Sequence, residues 1–298
     1  MARRRHSPRS LAAALTARSA RALGYELHRR DYFYGPLPDL ERLPQHLWDG
    51  PRPLHGVDLG VPAALAWIEG ALRPFLEEFR GPRGPLAGGY TVPNGFYGGL
   101  DSAILYAIVR ARRPARVIEL GSGNSSLLIA AALAMNAEEG ASASYRIFDP
   151  YPFEGGGRVP PPALAQIERL AAEDVALSHF EALQASDVLF VDTTHTVKTG
   201  GDVVRIVLEI LPMLAPGVAI HFHDVFLPFE YPRSWLYEFR RAWAEQYLLA
   251  AFLSDNPGFA VLMACHAVGR AEPARIAALV PDFDAGIAPP AAFWIERR

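Results

Sequence analysis

Cysteine occurs once in the 298 residues, at Cys265, and lysine once, at Lys198, although Lys and Arg together number 29. A single cysteine excludes an intrachain disulfide and any multi-cysteine zinc cluster. It suits a reducing compartment, so a cytoplasmic location is the expectation. The arginine bias reads as genome composition. No run approaches the roughly 18 consecutive apolar residues of a membrane helix. A basic excess is also missing: the formal charge is -3 and the pI about 6.3, which gives no overall footprint for nucleic acid. No NPPY-type motif for base amines is found, and the lone cysteine is poorly placed for a covalent mechanism on a base. A small-molecule partner is what these absences leave. Half of the residues are hydrophobic, enough for a substantial core, and the oligomeric state stays open, a homo-oligomer included.

The first 30 residues hold eight arginines against one acid, Glu26, and their only apolar block, LAAAL at 11–15, is too short for a secretory signal. An amphipathic helix to about residue 23 with a frayed basic tip is expected. Residues 31–56, rich in Pro and aromatics without a period, read as an extended segment laid over a surface. Leu65, Ile68, Leu72 and Leu76 have helical spacing, with Pro74 as a break. Residues 81–99 form a turn-rich loop, after which Asp101 can cap the helix SAILYAIVRARR. Residues 1–99 are therefore set apart as an extension packing on a core of 100–298.

From 116 onward, short apolar runs alternate with helix-length segments. The runs are RVIEL (116–120), YRIFD (145–149), a weaker RLAAEDV (169–175), DVLFVD (187–192) and GVAIHFHD (217–224). Between them lie SSLLIAAALAMNA, PPALAQIERL and GGDVVRIVLEILPML. FAVLMACHAV (259–268) and the final AAFWIERR add a further strand pair, with a helix near 271–280 before the last. Continuous hydrophobicity means strands covered on both faces. The expected class is α/β, a doubly wound, mostly parallel seven-stranded sheet with an N-terminal helical and extended extension.

RVIELGSGNSS passes from a strand through Gly121 and Gly123 into a helix. Missing side chains let a ligand approach the backbone, and free N–H groups at a helix start favour polar or anionic groups. A dinucleotide fingerprint needs a third glycine where Ser126 stands, and no phosphate-binding GKS/GKT follows. Glu119, two positions before the first glycine, followed by G-S-G, resembles motif I of the class I S-adenosylmethionine-dependent methyltransferases, with Ser125 in the third glycine's place. FVDTTH after the fourth strand and HFHDVFLPFEYP after the fifth resemble the branch with D-S/T-S/T-H and H-x-H-D at those points.

That resemblance implies a Rossmann-like methyltransferase fold in which 100–298 bind S-adenosylmethionine. It implies that the Gly121–Ser122–Gly123 backbone faces the methionine part of the cofactor, with Glu119 positioning the loop. Asp149 would accept from the ribose hydroxyls, Asp174, or Glu173 beside it, would lie near the adenine amine, and Asp192 would also belong to the cofactor-binding set. Simpler readings stand beside these: Asp149 as a turn residue before Pro150, and the acidic pair as an exposed strand end.

Methyl transfer from a sulfonium is a direct displacement, so the enzyme aligns the acceptor and removes its proton. His195, three residues after Asp192, is the expected general base of an O-methylation, at the position where metal-dependent catechol-type relatives carry a lysine. Those relatives hold a divalent cation through the strand-four aspartate and an acid followed by Asp or Asn after strand five. Asp192 and Asp224 match two of the three ligand positions, Val225 cannot match the third, and His223 is the substitute that would complete a His and carboxylate set. His221 and His223 share a strand face, but only His223 and Asp224 reach the carboxyl end, which places those two in the catalytic group and His221 in the core. Tyr90, Asn94, Phe96 and Tyr97 before the turn, and Phe229, Tyr231, Trp235 and Tyr237 after strand five, are either acceptor pocket or core. Lys198 either meets an anionic acceptor or is solvated. A cofactor-binding module without turnover and a nicotinamide oxidoreductase are the alternatives.

Overall fold

Among the described residues seven strands pair into one sheet: β1 (Arg116–Leu120), β2 (Ser144–Phe148), β3 (Gln166–Glu168), β4 (Val188–Val191), β5 (Ala219–Phe222), β6 (Phe259–Ala264) and β7 (Phe293–Arg297). Their order is β3-β2-β1-β4-β5-β7-β6. β1 to β5 run parallel, and β7 lies antiparallel between β5 and β6. The computed structural model describes residues 8–27, 34–35, 37–86, 90–92, 94–152, 165–280, 283 and 289–298.

Every residue of β4 and β5 is buried. Strand side chains alternate between faces, so continuous burial requires cover on both. Val188, Phe190 and Ala219 belong to one core cluster with α4 (Gly99–Arg112) and α5 (Asn124–Glu138). Their neighbours Leu189, Val191, Ile220 and Phe222 belong to another, with the helical residues Ile206, Ile210, Leu249 and Leu253. Each such Val, Leu or Ile contributes about 1.5–3 kcal/mol by burial. The sheet is thus rigid at its centre, where the site is carried.

α1 (Pro8–Ala22) precedes the Pro/aromatic segment, of whose residues Gln45–Trp48 form a short helix. α2 (Val61–Glu69) and α3 (Arg73–Arg80) break where Pro74 starts the second helix, and they pack on β6 and α4 within the first core cluster. The helices of residues 61–80 therefore share a core with the sheet. Among the described residues no helix is long and apolar enough to cross a membrane.

Three local expectations are corrected. The third strand is Gln166–Glu168, inside the segment PPALAQIERL read as a helix, while Ala172–Asp174 in the supposed strand is one 3-10 turn; residues 161–164 of that segment lie outside the described residues. An edge strand of three residues pairs only through β2 and needs no apolar run. Asp101 does not cap α4. It is buried and accepts from the backbone N–H of Ala291 (2.7 Å) and Ala292 (3.1 Å), tying α4 to the approach to β7. Finally, the strand at 259 stops at Ala264, and Cys265–Ala271 is helical. The basic tip at 1–7 lies outside the described residues.

Candidate active site

Parallel register brings the motif residues together. Leu120 pairs with Val191 and Val191 with Phe222. One residue further on, Gly121 N–H donates to Phe148 O (2.9 Å), Asp192 N–H to Leu120 O (2.9 Å) and His223 N–H to Val191 O (3.0 Å). Gly121, Asp192 and His223 thereby leave the sheet side by side at its carboxyl edge, where open α/β sheets bind ligands. The chain then turns sharply: His195 and Asp224 have φ of 55° and 58°. Non-glycine residues seldom adopt that region, and where they do the surroundings impose it, often at functional sites.

The two glycines differ in what they do. Gly121 has φ +90°, and a Cβ there would lie 1.9 Å from the carbonyl oxygen of Asp192, so only glycine allows β1 and β4 to close. A Cβ on Gly123 would meet nothing within 4 Å. Its bare backbone faces open space at the start of α5. Ser126 Oγ accepts from Gly123 N–H (3.1 Å), and Ser125 Oγ donates to Glu119 Oε1 (2.7 Å). Both serines that depart from the glycine patterns thus fasten the turn. Tyr145 Oη donates to the other Glu119 oxygen. Glu119 is fully buried, and burial pushes its carboxyl up to about 7 although these hydroxyls favour the charged form. It holds the loop without touching the cavities. Asp149 accepts from Ser122 Oγ and from Tyr151 N–H (2.8 Å), so it fixes the turn and also borders a cavity.

Two histidines and two aspartates form one charged group beyond β4 and β5. His195 Nε2 lies 3.2 Å from Asp192 Oδ1 and 3.5 Å from Asp224 Oδ2, while its Nδ1 is 2.8 Å from Glu245 Oε2. His223 Nδ1 lies 3.4 Å from Asp224 Oδ1 and 3.6 Å from Asp192 Oδ2, and its Nε2 is 3.9 Å from Asp101 Oδ2. Burial opposes charge on both imidazoles, but hydrogen bonds to Asp192 and Glu245 carry His195 well above its ordinary range, and the carboxylates of Asp224, Asp192 and Asp101 raise His223. Asp192 is also penalised by burial, yet the charges of His223 and His195 hold its carboxyl well below the usual carboxylate range. For Asp224, Glu245 and Asp101 burial wins and the carboxyls are raised.

Two cavities meet at this edge. One, of about 480 Å³, is bordered by Gly121, Asp149, Glu173, Thr193 and Lys198. The other, of about 300 Å³, is bordered by Gly123, His223, Asp224, Tyr97 and Trp235. Ser122 and Asp192 belong to both walls. Of the acidic pair, Glu173 reaches the first cavity, its carbonyl held by Arg205, whereas Asp174 is exposed and lines neither. Lys198 stands at the first cavity, away from the charged group's pocket. His195 lines neither cavity: it is 4% exposed, behind the carboxylates, with its ring 4.3 Å from that of Trp243. The imidazole that reaches the second cavity is His223. His221 is fully buried, stacked 4.0 Å from Phe190, with Tyr97 Oη 3.2 Å from its Nε2; burial and the nearby charge of His223 keep it neutral.

Of the aromatic candidates, Phe96, Tyr97 and Trp235 line the second cavity and Tyr231 a neighbouring one. Tyr90 supports Tyr97 from below through a hydrogen bond to its carbonyl, Asn94 shapes the turn by accepting from the N–H of Phe96 and Tyr97, and Tyr237 donates to Leu40 O. Asp192, His223 and Asp224 present three ligand atoms within 4.8 Å of one another, a set fit for a divalent cation. Val225, in the third ligand position of the metal-dependent pattern, is buried. Three contributors were not foreseen: Glu245, Arg241 and Trp243. Glu245 sits in the first turn of a helix, where acids are ordinary, so its sequence carries no signal. Trp243 and Arg241 follow the recognised motif closely enough that extending the aromatic reading past Tyr237 would have found them.

Residues 118–225 match the family described as a methyltransferase domain. Among solved structures, the SAH-bound Podospora anserina methyltransferase PaMTH1 is similar at 16% identity, with 82% of this chain and 90% of that chain covered and a TM-score of 0.38. A comparison with curated proteins finds no match. The matched stretch begins within β1 and ends just after Asp224, so it contains the glycine turn and the charged group.

Proposed function

We propose, from the match of residues 118–225 to a methyltransferase domain, that the chain is a class I S-adenosylmethionine-dependent methyltransferase and methylates a hydroxyl oxygen of a small molecule. The observation that carries this reading is the pair of adjoining cavities whose shared wall is Ser122 and Asp192. The larger takes the nucleoside end of S-adenosylmethionine, with Asp149 as acceptor for ribose hydroxyls and Glu173 beside the base. Gly123, which has open space where a side chain would be, lets the methionine end lie against the backbone. The group fits the residues present, and when bound it supplies an electrophilic methyl on a sulfonium. The branch with H-x-H-D after the fifth strand is the one the motif supports.

The 300 Å³ cavity takes the methionine end beside Gly123 and, facing it, the acceptor. The acceptor's hydroxyl faces Asp192, His223 and Asp224, and its proton passes to the Asp224 carboxylate, whose proton affinity burial raises. His195, expected as the base itself, stands one step further in. Its Nε2 holds both aspartates from behind, and Glu245 fixes its other nitrogen. This arrangement keeps the two carboxylates aligned and spreads their charge over a buried imidazolium.

A divalent cation is a second reading, favoured by the ligand set Asp192, His223 and Asp224. Bound there it would lower the pKa of a coordinated hydroxyl and orient it. Transfer of labelled methyl from S-adenosylmethionine to a panel of hydroxylated compounds, with and without a strong chelator, tests both. Transfer to oxygen supports the main reading, and transfer only to nitrogen or carbon acceptors overturns it. Unchanged turnover in chelator, with no metal in the purified protein, removes the cation.

A further inference from the structure

The wall of the acceptor cavity carries one cation that the chemistry above leaves unused. Arg241 borders the 300 Å³ cavity and also a neighbouring cavity of about 510 Å³. Its guanidinium carbon lies 4.8 Å from the ring centroid of Trp243, 4.9 Å from Trp235 and 5.4 Å from Phe239. The chain reverses to build this aromatic seat: Arg240 takes φ 57°, and Arg241 N–H donates to Trp235 O at 2.9 Å. Aromatic faces hold a guanidinium flat without using its N–H donors. Among the described residues no carboxylate lies within ion-pair distance of Arg241, whose charge acts on Asp224 only at longer range, whereas Arg52 on the wall of the neighbouring cavity is tied to Glu230.

The surroundings make such a cation informative. Asp192 and Asp224 border the same cavity together with His223, so that group is already matched in charge, and Arg241 is a positive charge set apart from it that can receive the acidic end of an anionic molecule. The neighbouring cavity adds apolar walls from Leu37, Leu43, Leu47 and Trp48. A guanidinium seated beside aromatic rings keeps its N–H donors for a planar carboxylate, which it can bind through two parallel N–H groups. Resting on the methyltransferase reading above, we infer that the acceptor is a hydroxylated carboxylic acid with an aromatic or otherwise apolar body, its carboxylate held by Arg241 while its hydroxyl faces Asp192 and Asp224.

The test compares acids with their methyl esters. Calorimetric titrations use 4-hydroxycinnamate, salicylate and 3-hydroxyoctanoate, each beside its methyl ester, on the full chain with and without saturating S-adenosylhomocysteine. At least one acid is expected to bind about tenfold or more tightly than its ester, because hydrogen bonds to a charged group contribute about that much. Arg241→Gln is expected to abolish this preference while the ester and S-adenosylhomocysteine bind as before. Equal affinities for acid and ester, binding of none of the three acids, or a preference that survives Arg241→Gln overturns the inference. Loss of S-adenosylhomocysteine binding in the unaltered protein overturns the methyltransferase reading instead, and the acid–ester comparison on the protein alone still decides the role of Arg241.

Discussion

Replacing each turn glycine by alanine separates folding from binding. At Gly121 the new Cβ would lie 1.9 Å from the Asp192 carbonyl oxygen, which is backbone and cannot swing away, and φ is +90°. Holding a non-glycine residue there costs about 1–3 kcal/mol, and forcing β1 and β4 apart adds about 1–3 kcal/mol of overpacking. Gly121→Ala is therefore expected to lose about 2–6 kcal/mol in urea unfolding. Gly123→Ala meets no atom within 4 Å, so its stability should change by less than about 1 kcal/mol. Its methyl enters the space assigned to the methionine end of the cofactor, and S-adenosylhomocysteine affinity measured by calorimetry should fall at least about tenfold. Equal stability losses in the two variants would refute the steric argument, and full cofactor affinity in Gly123→Ala would refute the placement of the ligand.

Glu119 gives a pH signature. Its folded-state pKa of about 7 lies above the ordinary carboxyl value, so between about pH 4.5 and 7 the native state holds the extra proton and stability falls as pH rises. The full effect is on the order of 3 kcal/mol; Glu119→Gln should flatten that slope in urea melts run from pH 4.5 to 8, and an unchanged slope would show that another group causes it. His195→Ala leaves Glu245 buried without its partner and should cost about 3–5 kcal/mol. Adding Glu245→Gln should restore part of that loss, and strictly additive losses in the double variant would mean the two groups do not interact. Chelation with metal analysis, as described above, decides whether a cation joins Asp192, His223 and Asp224.

The sheet was readable because its central strands are covered on both faces, which forces runs rich in apolar residues at 116–120, 187–192 and 217–224. β3 escaped because an edge strand of three residues, Gln166–Glu168, offers a single apolar side chain, Ile167, to the core and so makes no run to recognise. Asp101 looked like a helix cap from its position alone; its real partners, Ala291 and Ala292, are nearly two hundred residues away. The same limit applies at the site. Motif spacing brought Gly121, Asp192, His223 and Asp224 to one edge, since parallel register follows from strand order. It could not show that His195 turns inward, because that depends on Glu245, which approaches from a separate helix. Glu173 and Asp174 are adjacent in sequence, and only the 3-10 turn at Ala172–Asp174 decides which one faces the cavity.

The central claim is that the carboxyl edge of β1 and β4 is built around S-adenosylmethionine. Calorimetric titration of the full chain with S-adenosylhomocysteine, beside an identical titration with NAD, tests it most directly. The account predicts saturable one-to-one binding of S-adenosylhomocysteine, weakened by Asp149→Ala, and no binding of NAD. Binding of NAD with no response to S-adenosylhomocysteine would contradict it.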